Sequence, residues 1–157
     1  MNAAEPMEIL NWQQPDRALT LVVDSYQFPG NTNNNYDNQW LMISGAVRCP
    51  LGAWAFREPC LMSSELLELA ARLESGYGPD SPGFAITIEP VLDIAWIAAG
   101  QVRVVFRLEA APSWDYSELA ESDADGWGFP LFFDVTAALA GATAQALREA
   151  AARFPPQ

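Results

Sequence analysis

Histidine is absent from this chain of 157 residues. That removes the usual general base at neutral pH, the commonest zinc ligand, and every arrangement in which histidine activates a serine or cysteine. Lysine is absent too, so all eight basic residues are arginine. Cysteine is scarce. Cys49 and Cys60 are too few for a disulfide scaffold or a cysteine-rich metal site. They flank Pro50–Pro59, a segment able to close as a tight loop, so a bridge is geometrically open; a reducing compartment favours two buried thiols instead. No apolar run approaches the ~20 residues that span a bilayer. The N-terminal residues Met1 to Asn11 hold Glu5 and Glu8, no base and no long apolar core, which is not a secretory signal. A cytoplasmic protein with no membrane partner is the expectation.

Acid is what the chain has in excess. Twenty carboxylates face eight arginines, for a net charge of −12. A nucleic-acid binder needs the opposite sign to displace counterions from phosphate, so DNA and RNA are excluded as direct partners. An acidic surface attracts cationic proteins instead, although solubility alone also accounts for such a charge. Half the residues are hydrophobic and 11% aromatic. A chain of this length and composition can bury roughly two-thirds of its unfolded surface. It reads as a single domain over 1–157, with 1–15 and 155–157 as flexible ends.

Periodicity supplies the elements. Arg17 to Asp24 alternates, with Leu19, Leu21 and Val23 on one face of a strand. Pro29 to Asn35 is a polar loop rich in asparagine, which tolerates left-handed geometry. Trp40 to Val47 is a second strand and Ala53 to Phe56 a short third, joined at Cys49-Pro50-Leu51-Gly52. Ser63 or Ser64 caps a helix with Glu65 in its first turn and Leu66, Leu69, Ala70 and Leu73 on one stripe. Gly76 and Gly78, with Pro79 and Pro82, end it. Phe84, Ile86 and Ile88 alternate in a further strand. Leu92–Ala98 and Val102–Glu109 pair as a hairpin about Ala99-Gly100. In that hairpin Val102, Val104, Phe106 and Leu108 share an apolar face, and Arg103, Arg107 and Glu109 share a wet one. Phe129–Asp134 is a last short strand and Thr136–Arg153 a second, alanine-rich helix. The predicted class is α+β, an antiparallel sheet of about six or seven strands with two helices packed on one face.

Three constellations invite chemistry. Glu121, Asp123, Asp125 and Gly126 match the start of a calcium loop, but the twelfth position falls on Phe132, which cannot ligate. No metal or other cofactor is therefore assigned. Glu89 with Glu109 or Asp93 could form a hydrolytic carboxylate pair, yet no cleft is marked around them. The acidic segment reads by default as a solvated loop, and the aromatics among the acids offer a partner contact instead: Trp114, Asp115, Tyr116, Glu118, Glu121, Asp123, Asp125 and Trp127 combine anchor area with attraction for a basic protein. Trp54 and Trp96 read as core.

Residues 26–61 hold two unusual clusters. The first is Tyr26-Gln27-Phe28-Pro29, followed by Tyr36-Asp37-Asn38-Gln39-Trp40-Leu41. The second is Trp54-Ala55-Phe56-Arg57-Glu58-Pro59-Cys60-Leu61. With Ile88-Glu89-Pro90-Val91-Leu92 and Leu108-Glu109-Ala110-Ala111-Pro112, this ordered series over roughly residues 19–135 resembles the WapI-type immunity proteins of bacteria. The resemblance implies that Tyr26, Phe28, Pro29, Asp37, Trp40, Trp54, Phe56, Pro59, Glu89 and Pro90 define the fold. It also implies a non-enzymatic protein that binds and neutralises a cognate polymorphic toxin domain. The acidic surface would occlude a basic functional groove, such as that of a nuclease. The alternatives are a generic acidic interaction module without a toxin partner and, more distantly, a carboxylate-dependent hydrolase.

Overall fold

The computed structural model describes residues 4–30, 36–76, 91–114 and 128–157, with Tyr36 and Asp37 described as backbone only. Among the described residues, seven antiparallel strands and two helices make the fold α+β, as the periodicity predicts. The strands divide into two sheets. β1 (Met7–Gln14), β2 (Arg17–Tyr26), β3 (Trp40–Cys49) and β4 (Gly52–Met62) form a meander in the order β1-β2-β3-β4. After α1 (Ser63–Ser75), β5 (Leu92–Ala98), β6 (Gln101–Phe106) and β7 (Phe129–Asp134) form the second sheet in the order β5-β6-β7, and α2 (Ala137–Arg153) follows. The strand expected around Phe84–Ile88 lies outside the described residues.

Aromatic rings from the larger sheet meet those of the smaller one. Trp12 of β1 lies 5.5 Å from Phe133 of β7, and Trp54 of β4 lies 5.3 Å from both Phe106 and Phe129. The apolar residues of both sheets and both helices belong to one buried cluster, against which Trp54 and Trp96 pack as partly buried walls. Polar bonds seal the seam: Arg17 donates to the Phe132 carbonyl at 2.9 Å, and the Gln14 amide to the Asp134 carbonyl at 2.9 Å.

Three expectations about the strands need correction. Residues 7–14, read as part of a flexible end, form β1, whose Ile9, Leu10 and Trp12 are buried. A bulge between Glu8 and Leu10 shifts the register against β2 and hides the alternation. The third strand is not short, because β4 continues through Glu58 and Pro59 to Met62. Proline is tolerated there because β4 is an edge strand among the described residues, and a bulge absorbs the extra residue Cys60 between the pairs Met42–Pro59 and Leu41–Leu61. Third, β6 stops at Phe106. Arg107 is buried and ion-paired with Asp93, while Leu108 takes a positive φ of 49° and points outward from the 3-10 turn Leu108–Ala110. Arg107 therefore belongs to no wet face, and Leu108 to no core.

The cysteines are two buried thiols, as expected. Cys49 pairs with Gly52 at the hairpin, whereas Cys60 lies eight residues beyond Gly52 on an extended strand. At ~3.3 Å per residue that is roughly 25 Å. A disulfide needs Cα atoms within about 7 Å, so the bridge that a tight loop would have permitted is excluded. Both thiols are free and buried.

Helix ends follow local chemistry. Met62, rather than Ser63 or Ser64, is the N-cap of α1, and its backbone N–H donates to the Glu65 carboxylate at 2.8 Å. Gly76 ends α1 with φ 66°, a conformation that favours glycine. Thr136 caps α2 by accepting from the Leu139 N–H at 3.1 Å. The two helices are tied by an ion pair between Arg148 and Glu74. Trp12 donates its indole N–H to Thr143 of α2 at 3.1 Å, so β1 docks on that helix. The tail expected to be loose is held as well: Tyr26 donates to the Pro155 carbonyl, and the Gln157 amide to the carbonyls of Phe28 and Asn38.

Candidate functional site

Where β2 ends, Gln27 is fixed by donating its backbone N–H to the Trp40 carbonyl at 2.8 Å, which closes β2 onto the start of β3. Across the sheet, Pro59 of β4 stands opposite Met42 and Glu58 opposite Ile43. Val91 is held at the entry to β5, its carbonyl accepting from the Arg107 N–H at 2.8 Å. The Arg107–Asp93 pair fixes the chain just before the 3-10 turn that carries Glu109. These constraints leave an open pocket of about 260 Å³ lined by Gln27, Trp40, Glu58, Pro59, Val91 and Glu109.

All six lining residues come from the five sequence stretches singled out above, which span more than eighty positions of the chain. Trp40 and Pro59 supply an indole and a pyrrolidine wall, and Val91 an aliphatic one. Glu58 is half-buried and Glu109 exposed. Neither carboxylate makes an ion pair or side-chain hydrogen bond with another described residue, and no lining residue is basic. Uncompensated carboxylates beside an aromatic wall are suited to holding an organic cation.

A second concavity covers the outer face of the larger sheet, about 540 Å³ over Thr20, Val22, Ser44, Ala46 and Ala55, with Arg57 at its rim. Its charges are spent internally: Asp24 accepts from Arg57 at 2.8 Å and from the Ser44 hydroxyl. Apart from Phe56 and Arg57 its lining is small and neutral, and it offers no unpaired charge among the described residues.

Most of the residues expected to contact a partner lie outside the described residues: Asp115, Tyr116, Glu118, Glu121, Asp123, Asp125 and Trp127. The calcium-loop-like residues Glu121, Asp123, Asp125 and Gly126 lie there too, as do Glu89 and Pro90 and the side chain of Asp37. Trp114 is described, and it is not a free anchor. Its ring packs edge-on at 5.3 Å from Trp54 and 6.2 Å from Phe129, over Gly52. Its buried indole N–H has no partner among the described residues. Of the positions expected to define the fold, Tyr26 packs on Phe154 at 5.7 Å, Trp54 donates to the Ala110 carbonyl at 2.9 Å, and Phe56 covers Gly45. Phe28 is 43% exposed and contributes its carbonyl rather than its ring. Residue reading missed Gln27, Glu58 and Val91 as site residues; only their place inside the five stretches pointed to them.

Among the described residues, no three histidine, cysteine, aspartate or glutamate side chains stand close enough to hold a metal ion. No described helix is long and apolar enough to cross a membrane. A family model described as the immunity protein WapI-like family matches residues 9–155. No curated protein and no solved structure matches the chain.

Proposed function

The chain belongs to the WapI-like family of immunity proteins, and on that premise we propose that it binds a cognate toxin domain and neutralises it by covering a basic working surface. Membership implies toxin immunity; the sign of the partner's surface is the further step. The observation that carries this step is the net charge of −12, together with a concave site whose two carboxylates pair with no other described residue. Complementary charge steers encounter and raises the association rate, while close charge pairs slow release.

The acidic segment Asp115–Asp125 adds long-range attraction in this reading. Neutralisation is stoichiometric rather than catalytic, consistent with a chain that has no histidine and no activated nucleophile. A nuclease domain, whose phosphate-binding groove is basic, is the toxin class that this charge fits best.

Titration of purified toxin activity with the protein tests the proposal. The endpoint is expected near one-to-one, and binding should weaken steeply with added salt. Inhibition at catalytic amounts would sink the non-enzymatic mechanism. Binding indifferent to salt would remove the basic surface from the account.

A further inference from the structure

We infer that the pocket between Trp40, Glu58 and Glu109 is a socket for an arginine side chain presented by the partner protein. The inference rests on the toxin-binding reading and deepens it by naming what enters.

Four features of the pocket favour a guanidinium over other cations. A volume of about 260 Å³ admits a long side chain but not a folded element. The indole of Trp40 offers a flat face on which a planar, delocalised cation can stack. Glu58 and Glu109 are carboxylate acceptors matched to the five fixed donors of a guanidinium, which pairs with carboxylates two bonds at a time. Pro59 and the indole add apolar surface beside the carboxylates, which suits a weakly hydrated guanidinium better than a strongly hydrated ammonium.

A metal ion fits poorly. Calcium takes six to eight oxygen ligands, and two carboxylates with one amide do not approach that number. Nor does a described arginine occupy the socket. The described arginine–carboxylate pairs join Arg17 to Asp16, Arg57 to Asp24, Arg107 to Asp93 and Arg148 to Glu74, none at the pocket. The five stretches that build the pocket are thus engaged in more than folding. Trp40 and Pro59, expected only to define the fold, form the walls of the socket.

The test uses the full chain, labelled with nitrogen-15, and two small probes of nearly equal shape. N-acetyl-arginine methylamide carries the guanidinium; N-acetyl-citrulline methylamide replaces it with a neutral urea. The arginine probe should shift the Trp40 indole resonance saturably, and at least tenfold more tightly than the citrulline probe. The double variant Glu58→Gln, Glu109→Gln should lose that preference while keeping the dispersed spectrum of a folded protein. Equal binding of both probes, or an unchanged preference in the double variant, overturns the socket. Toxin binding separates the two ideas. Toxin bound equally by wild type and double variant, with no probe preference, ends the socket but leaves the immunity reading. A probe preference in a protein that binds no toxin does the reverse.

Discussion

Phe56 occupies the space that a side chain at residue 45 would need. The two residues are cross-strand partners on β3 and β4, and a Cβ built on Gly45 falls within the Phe56 ring. The pairing lets the ring lie flat on the sheet and reach Phe106 of the second sheet, 6.1 Å away. Gly45→Ala should therefore cost about 1–3 kcal/mol, the usual range for overpacking. Combining it with Phe56→Leu should recover part of that loss. Chemical denaturation of the two single variants and the double variant measures the coupling, and strictly additive losses would refute it.

Trp114 makes a second case of packing in place of display. Its ring is shared by Trp54 and Phe129 but is only half-buried, so Trp114→Ala should lower stability by about 2–4 kcal/mol, somewhat less than the ~3–5 kcal/mol for a fully buried aromatic. Thermal melting checks this. An unchanged melting temperature with slower toxin association would restore the residue to the contact surface.

The thiol of Cys60 predicts an alkaline weakness. Burial pushes its pKa up to about 12 from an ordinary 9.0. Between those values the native state holds a proton that the unfolded state has released, so stability falls as pH rises through this window. The slope approaches about 1.4 kcal/mol per pH unit for one proton. Burial also raises the Tyr26 hydroxyl, which acts in the same direction, so the diagnostic is a difference. Cys60→Ala should flatten the pH dependence of unfolding between pH 9 and 12 relative to wild type. Alkylation should leave both thiols untouched in the native protein and modify both after unfolding.

Charge in the segment Asp115–Asp125 should act on rate rather than on folding. Replacing Glu118, Glu121, Asp123 and Asp125 with asparagine or glutamine relieves self-repulsion, so the melting temperature should stay equal or rise slightly. Association with the toxin should slow, and its salt dependence should flatten, because steering is screened within about 8 Å at physiological ionic strength. Unaltered association at low salt would exclude this segment from capture and leave the Trp40 pocket as the better-supported contact.

Elements with an unbroken period were legible in the sequence. The hairpin about Gly100, the strand Phe129–Asp134 and both helices stand where their apolar spacing puts them. Misreadings gathered where a bulge or a distant partner intervened. Ile9 and Leu10 are adjacent and both buried, a pattern that spoils alternation in β1, and polar Asn11, Gln13 and Gln14 completed the disguise. Pro59 made β4 look shorter than it is. Arg107 alternates like a wet-face residue, and its ion pair with Asp93, fourteen residues earlier on the neighbouring strand, is invisible to periodicity. The pocket was invisible for a related reason. No single stretch contains a cavity, and five separate stretches had to be brought together before their carboxylates and indole shared one space.

The grip of Gln157 on the carbonyls of Phe28 and Asn38 has a practical consequence for handling the protein. Those carbonyls flank Gln27 and Trp40, so anything fused behind Gln157 departs beside the socket and pulls on its wall. The sheet order places β1 at the edge opposite β4, which carries Glu58 and Pro59. A purification tag or surface tether therefore belongs ahead of Met7, where it leaves the socket unobstructed.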